Sequence, residues 1–205
     1  KDHYHGLKHD TKRRFISYWH QINEVLQLWP ERVLEVGMGS GFVSRYLKEF
    51  CGVSVTTCDH NEDLRPDHVA SVTALPFSDN AFDVMMACEV LEHMPYEESL
   101  KGLQELYRVA SRAVVVSLPD ATRVFRVEIP IPKLGKFRKL IVWPLRNPPA
   151  HRVERQEGHH WEIGKKDYPL SRVIGDMQKI GFIVERTYRV FENPYHRFFI
   201  LKKTL

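Results

Sequence analysis

Cysteine is nearly absent from these 205 residues: Cys51, Cys58 and Cys88 are odd in number and lack metal-ligand spacing. A disulfide framework and a cysteine-based zinc cluster are thereby excluded, and a reducing cytoplasm is the expected home. Long apolar runs are missing as well. The longest, such as AVVVSL (Ala113 to Leu118), are far too short to span a bilayer, and no secretory-type leader is read in the sequence. Internal repeats and low-complexity tracts are lacking. Neither sign of charge dominates, because the formal net charge is only +4, too mild to imply a nucleic-acid partner by itself.

What remains is an ordinary composition, 43% apolar and 27% charged, in a chain long enough for one domain with a sizeable core. The basic residues are unevenly spread. Arg123 to Arg155 holds many Lys and Arg but only two acids, Glu128 and Glu154. A solvated basic face, an anionic substrate and a peripheral membrane contact all stay open for this stretch.

Phe15, Trp19, Ile22, Leu26 and Trp29 recur at helical spacing, with Asp10 or Thr11 placed to cap the helix and Pro30 to end it. RVLEV, VSVTTCD, HVASV, AFDVMMACEV and AVVVSL then read as five strands. Between them lie a helix closed by Gly52 and another carrying Leu100, Leu103, Leu106 and Tyr107 on one side. Strands alternating with helices over residues 32 to 118 predict a parallel sheet with helices on both faces. Continuous apolar strands fit a sheet covered on both sides. A further helix, closed by Gly181, precedes FIVERTYRVF and HRFFILKK. Only ENPY separates those two, which suits a hairpin and an antiparallel edge. Residues 119 to 158 show no clean period and are rich in proline, too long for a connector, and so are expected to form a lid or binding loop.

The stretch LEVGMGSGFV (Leu34 to Val43) sits between a strand and a helix. Glycines there let the backbone approach a ligand, with a helix N-terminus facing it. A dinucleotide fingerprint, G-x-G-x-x-G, would need glycine at position 42, which is Phe42. The third glycine is Gly41 instead. Glu35, at the strand end, would repel a pyrophosphate and welcome an ammonium or sulfonium. Asp59 ends the second strand about 20 residues beyond the glycines, where an acid commonly grips ribose hydroxyls.

Taken in order, VLEVGMGSGFVSRYL, TTCD, ALPFSDNAFDVMMACEVLEHM and RAVVVSLPD resemble the class I S-adenosylmethionine-dependent methyltransferases. The likeness is greatest to the type 11-like group marked by LPF.D..FD......LEH. It covers roughly Arg32 to Asp120, with Gly181 and Phe182 near the end. The resemblance implies an α/β fold: a doubly wound, Rossmann-like, seven-stranded sheet in the order 3-2-1-4-5-7-6, its last strand antiparallel. It implies a single domain over residues 1–205, with an N-terminal helical leader (1–30) and a substrate-cap insertion (about 120–160). It further implies that Glu35, Gly37, Met38, Gly39 and Gly41 hold the methionine part of S-adenosylmethionine, that Asp59 binds the ribose, and that His60 lies next to the adenine. Ser71 stands where the group carries an acid against the adenine amino group, so Ser71 or the backbone of Val72 takes that role. Cys88 and Glu89 would line the methionine side.

LEHM puts Glu92 and His93 just past the fourth strand, close to where a methyl group would leave sulfur; His93 is a candidate base there, and a positioning role for it also stays open. His159 and His160, in EGHHWEIG, are further candidates for a base or an acceptor contact. Together with Glu162 they raise the question of a metal, but no second cluster shows ligand spacing, and none is expected. Tyr195 and His196 read as turn and strand residues. The His- and Tyr-rich DHYHGLKH is either a flap over the cofactor or a frayed end. Three functions are weighed: methyl transfer to a small-molecule acceptor through O, N or C, methyl transfer to RNA or protein, and cofactor binding without turnover. The first is expected, with nucleic acid disfavoured because ACEV stands where base-modifying enzymes carry an Asn-Pro-Pro-Tyr type tetrapeptide.

Overall fold

The computed structural model describes residues 11–203 apart from 134, 144 and 152–157. Residues 2–9, the His- and Tyr-rich stretch, lie outside the described residues, as does part of the expected insertion. Helix α1 (Lys12–Gln27) starts at Thr11, whose hydroxyl accepts a hydrogen bond from the Arg14 amide. Its buried face differs from the expected one. Tyr18, Gln21, Glu24 and Val25 turn inward, whereas Phe15 and Trp19 are exposed, as is Trp29 beyond the helix end. Glu24 accepts hydrogen bonds from Arg186 and Tyr188, so polar partners rather than apolar periodicity set the helix rotation.

Strand β1 (Arg32–Val36), α2 (Phe42–Cys51), β2 (Ser54–Asp59), β3 (His68–Val69), β4 (Phe82–Cys88), α3 (Tyr96–Val109) and β5 (Ala110–Pro119) follow the expected alternation. Then come β6 (Val124–Ile131), β7 (Gly135–Val142), α4 (Leu170–Ile180), β8 (Phe182–Arg189) and β9 (His196–Lys203). Seven strands form one sheet in the order β3-β2-β1-β4-β5-β9-β8, with β9 antiparallel to both its neighbours. With β6 and β7 set aside as their own ribbon, this is the order the resemblance implies.

Alternate residues of each central strand feed opposite cores. Leu34, Met85, Val114 and Phe199 pack with α3, α4 and Trp161 on one face. Val33, Met86, Val115 and Phe198 pack with Tyr18 and Val25 of α1 and Leu47 of α2 on the other. Each such burial contributes about 1.5–3 kcal/mol, and the two-sided cover explains the unbroken apolar strands.

The stretch expected to lack a regular period contains an antiparallel hairpin, β6 with β7. Its period-two pattern is broken to the eye by Pro130 and Pro132. A two-stranded ribbon consists only of edges, where proline is tolerated. Phe125 lies opposite Ile141, and Ile129 opposite Phe137, on one face; Glu128 lies opposite Arg138 on the other. Arg126 and Arg138 reach Glu192 in the β8–β9 connection, so the charged face leans on the body of the protein. The apolar face is left open, with Phe125 60% and Trp143 61% exposed.

Both ends of this excursion are pinned at one place. Asp120 bridges to Ile163, the Ala121 amide donates to the Ile163 carbonyl at 2.8 Å, and the Ile163 amide donates to the Pro119 carbonyl at 3.0 Å. Among the described residues no helix is long and apolar enough to cross a membrane.

Candidate active site

Strand order reverses between β2 and β4, on either side of β1, and the carboxyl ends of these strands meet there. In open α/β sheets such a switch point is where ligands bind. The loop after β1 is shaped for close approach. Gly37, Gly39 and Gly41 all have positive φ, at 78°, 53° and 71°. A Cβ on Gly37 would meet Val90 Cγ2 at 2.3 Å, so only glycine fits. Gly41 is the N-cap of α2, and the Gly41 amide closes the turn onto the Met38 carbonyl at 2.8 Å. Tyr18 of α1 holds the loop from outside through the Ser40 hydroxyl at 3.3 Å.

Glu35 is buried beneath this loop, and its Oε2 has no hydrogen-bond partner among the described residues. Burial pushes its carboxyl up to about 7, against hydrogen bonds from Ser44 and the charge of Lys48. A buried carboxylate oxygen without a partner is costly unless a cation meets it. The ammonium of a methionine-type ligand is such a cation. The residues present therefore fit S-adenosylmethionine.

Asp59, also buried, ends β2, and its Oδ1 accepts from the Asn61 amide at 2.9 Å. His60 is exposed and stands over a hollow lined by His60, Asn61, Glu62, Asp63 and Val69. Ser71 hydrogen-bonds to Thr73 at 2.8 Å, while the Val72 side chain is buried against Gly102. Of Val72, therefore, only the backbone can meet a ligand, while the Ser71 hydroxyl is exposed. A separate cleft of about 400 Å³ runs along the outer side of the loop, between Met38–Gly41 and Asp63–Arg65. Glu35, Asp59 and Glu89 are not among its walls.

Cys88 and Glu89 end β4. Burial holds the Cys88 thiol well above the usual range, so it is no thiolate nucleophile. Glu89 has φ 56°, a left-handed conformation that costs a non-glycine residue about 1–3 kcal/mol and gathers at functional sites. Its carboxylate accepts from the Ser117 hydroxyl at 2.7 Å and lies 3.6 Å from His196 Nε2. Glu92 is fully buried, and neither of its carboxyl oxygens has a hydrogen-bond partner among the described residues. Burial, then the charge of Glu89, drives its carboxyl well above the ordinary range.

The structure brings His93 and His159 together, with ring centroids 5.1 Å apart in an edge-to-face pair. His159 Nδ1 lies 3.1 Å from Glu162 Oε1 and 3.2 Å from the Tyr195 hydroxyl, and the Tyr195 ring stacks on the imidazole. Burial opposes ionisation of Glu162, but hydrogen bonds from His159 and Tyr195 and the charge of Lys165 hold its carboxyl down to about 2. His160 instead donates its backbone amide to the Glu92 carbonyl at 2.7 Å. Trp161, which is buried, donates its indole N–H to the Leu91 carbonyl and the Ser99 hydroxyl. These bonds clamp the 159–162 segment onto the turn Leu91–His93. Tyr195 and His196 occupy a turn and a strand start, as expected, yet their side chains reach Glu162, His159 and Glu89. From sequence, Glu92 entered only as the neighbour of His93, Glu162 only through the question of a metal, and Tyr195 only as a turn residue.

An α/β sheet with a glycine loop and an unmatched buried acid at its switch point defines a cofactor-binding enzyme of the Rossmann-like kind. Residues 34–116 match the family described as "Methyltransferase domain", which supports a class I S-adenosylmethionine-dependent methyltransferase. No curated protein sequence matches it. Among solved structures it is similar to the CcbJ methyltransferase of Streptomyces caelestis, at 13% identity, TM-score 0.64, and 92% of this chain against 96% of that one. An S-adenosylmethionine-dependent methyltransferase from Clostridium acetobutylicum is 6% identical, with TM-score 0.62 over 97% and 94% of the two chains. The magnesium protoporphyrin IX methyltransferase of Synechocystis, with S-adenosylmethionine bound, is 16% identical, with TM-score 0.58 over 94% and 79%. At such identities these likenesses bear on the fold alone.

Proposed function

We propose that the chain transfers a methyl group from S-adenosylmethionine to a small amphipathic acceptor bearing an anionic group. Bound at the switch point, the cofactor supplies an activated sulfonium methyl. Glu35 meets its ammonium, the backbone of Gly37 to Gly41 lies against its methionine part, and Asp59 takes the ribose hydroxyls. Cys88 and Glu89 form the wall on the methionine side. Methyl transfer needs alignment and exclusion of water more than it needs acid–base chemistry. The 120–160 insertion rises from the end of β5, at the same edge as the glycine loop, and serves as the acceptor cap.

The observation that carries the acceptor class is the two-sided hairpin. One face offers Phe125, Ile129, Phe137 and Ile141, with Lys139 opposite Val127 on the same face and Lys133 in the turn at its end. An apolar body and an anionic head on one molecule satisfy both sets. A polyanion such as RNA would use the cations and leave the apolar face wet. The test is an acceptor-library assay with labelled cofactor at graded salt. Labelling concentrated in lipid-like or apolar organic acids, with weak salt dependence, is the expected result. Labelling of RNA, lost steeply as salt rises, would replace this reading.

A further inference from the structure

We infer that Glu92, His93 and His159 form a site for a divalent cation of the Mn²⁺ or Fe²⁺ type. One ligand atom from each of these three residues lies within 4.8 Å of the others. Donors sharing an ion at about 2.1 Å lie roughly 3–4 Å apart, so small side-chain rotations close the set. Two imidazoles and one carboxylate leave coordination positions open and suit these cations.

Two independent features point to a ligand here. Glu92 is fully buried, and both of its carboxyl oxygens lack hydrogen-bond partners among the described residues. A buried acid in that state is stabilised by a cation more than by any neutral neighbour. Second, His159 is already held as metal-bound histidines are held. Its Nδ1 is engaged by Glu162 at 3.1 Å, which leaves Nε2 as the nitrogen to offer an ion. Trp161 and the His160 amide fix the two segments against each other, so the donors are placed before any ion arrives.

The site lies beside Glu89, at the edge where the methyl donor binds. On its open positions the cation would hold an oxygen of the acceptor, as a template rather than a reactant. That role rests on the methyl-transfer reading; the cation site itself does not.

The test is Mn²⁺ binding to the full chain, followed by calorimetry and by the loss of the free Mn²⁺ electron paramagnetic resonance signal. One equivalent bound, weakened at least tenfold by His93→Ala and by His159→Ala, is the expected result. Glu92→Gln should do the same while keeping volume and fold, checked by melting temperature. S-adenosylhomocysteine affinity, measured without metal, should be unchanged in His93→Ala, which separates this site from the cofactor site. Absence of binding, or binding equal in wild type and all three variants, would overturn the proposal. The second outcome would place the ion elsewhere, for example on the N-terminal histidines.

Discussion

Asp120 accepts a hydrogen bond from Arg197 Nε at 2.7 Å and lies 3.4 Å from Arg189 Nη1, with all three side chains at most 12% exposed. This triad sits where β5 ends and the insertion departs. Replacing Asp120 with Asn should leave two buried guanidinium groups without their counter-charge. Breaking a buried pair from one side costs about 3–5 kcal/mol. Urea unfolding should show that loss, and a change below about 1 kcal/mol would mean water reaches the arginines.

Gly37→Ala should be destabilising on two counts, the positive φ and the contact with Val90. Together these should cost about 2–4 kcal/mol. Adding Val90→Ala should recover the steric part only, a partition readable by thermal melting of the three variants.

Glu35→Gln should keep the fold and weaken S-adenosylhomocysteine at least tenfold, or about 1.4 kcal/mol. The neutral amide fills the same space but offers an ammonium no charge. Calorimetry measures this directly, and an unchanged affinity would remove Glu35 from the site.

The pH dependence follows from the same group. With no ligand bound, the Glu35 carboxyl is raised from 4.5 to about 7. Stability owed to the neutral form is therefore complete below pH 4.5 and lost as pH rises through 7. A cationic ligand prefers the ionised form, so affinity should tighten about tenfold per unit up to pH 7 and then level off. Glu35→Gln should flatten that slope. Proton release on binding, measured in buffers of different ionisation enthalpy, provides a second check.

Phe125→Ser with Phe137→Ser should spare cofactor affinity and reduce turnover of an amphipathic acceptor at least tenfold, mainly through KM. Both residues lie on the open face of the hairpin and do not line the glycine loop. An unchanged KM would show that the acceptor binds elsewhere.

The strand-end positions of Glu35, the glycines and Asp59 could be read from sequence because local pattern already dictates where those strands stop. The site around Glu92 could not. Trp161 and Leu91 are 70 residues apart, and their hydrogen bond forms only once the sheet has brought α3 and the 159–162 segment together. The α1 face was misread for a related reason: Gln21 and Glu24 look like solvent residues until Arg186 and Tyr188 arrive from β8. In the hairpin, two prolines masked an alternation that the structure makes plain. Long-range polar partners carry no local period, and pattern reading misses them wherever they decide a packing face.

The stem at Asp120 and Ile163 gives the molecule a natural joint. Backbone hydrogen bonds close the base of the excursion, and Trp161 anchors its returning end in the core, so the sheet does not need the β6–β7 hairpin that rises between them. Chain can be lengthened, shortened or exchanged above that joint at little cost to folding, since closure entropy grows slowly with loop length. On the proposed reading of the hairpin as acceptor cap, acceptor preference and donor binding can therefore evolve on separate schedules: the hairpin behaves as a replaceable cassette, and the methyl-donor machinery below it stays the same.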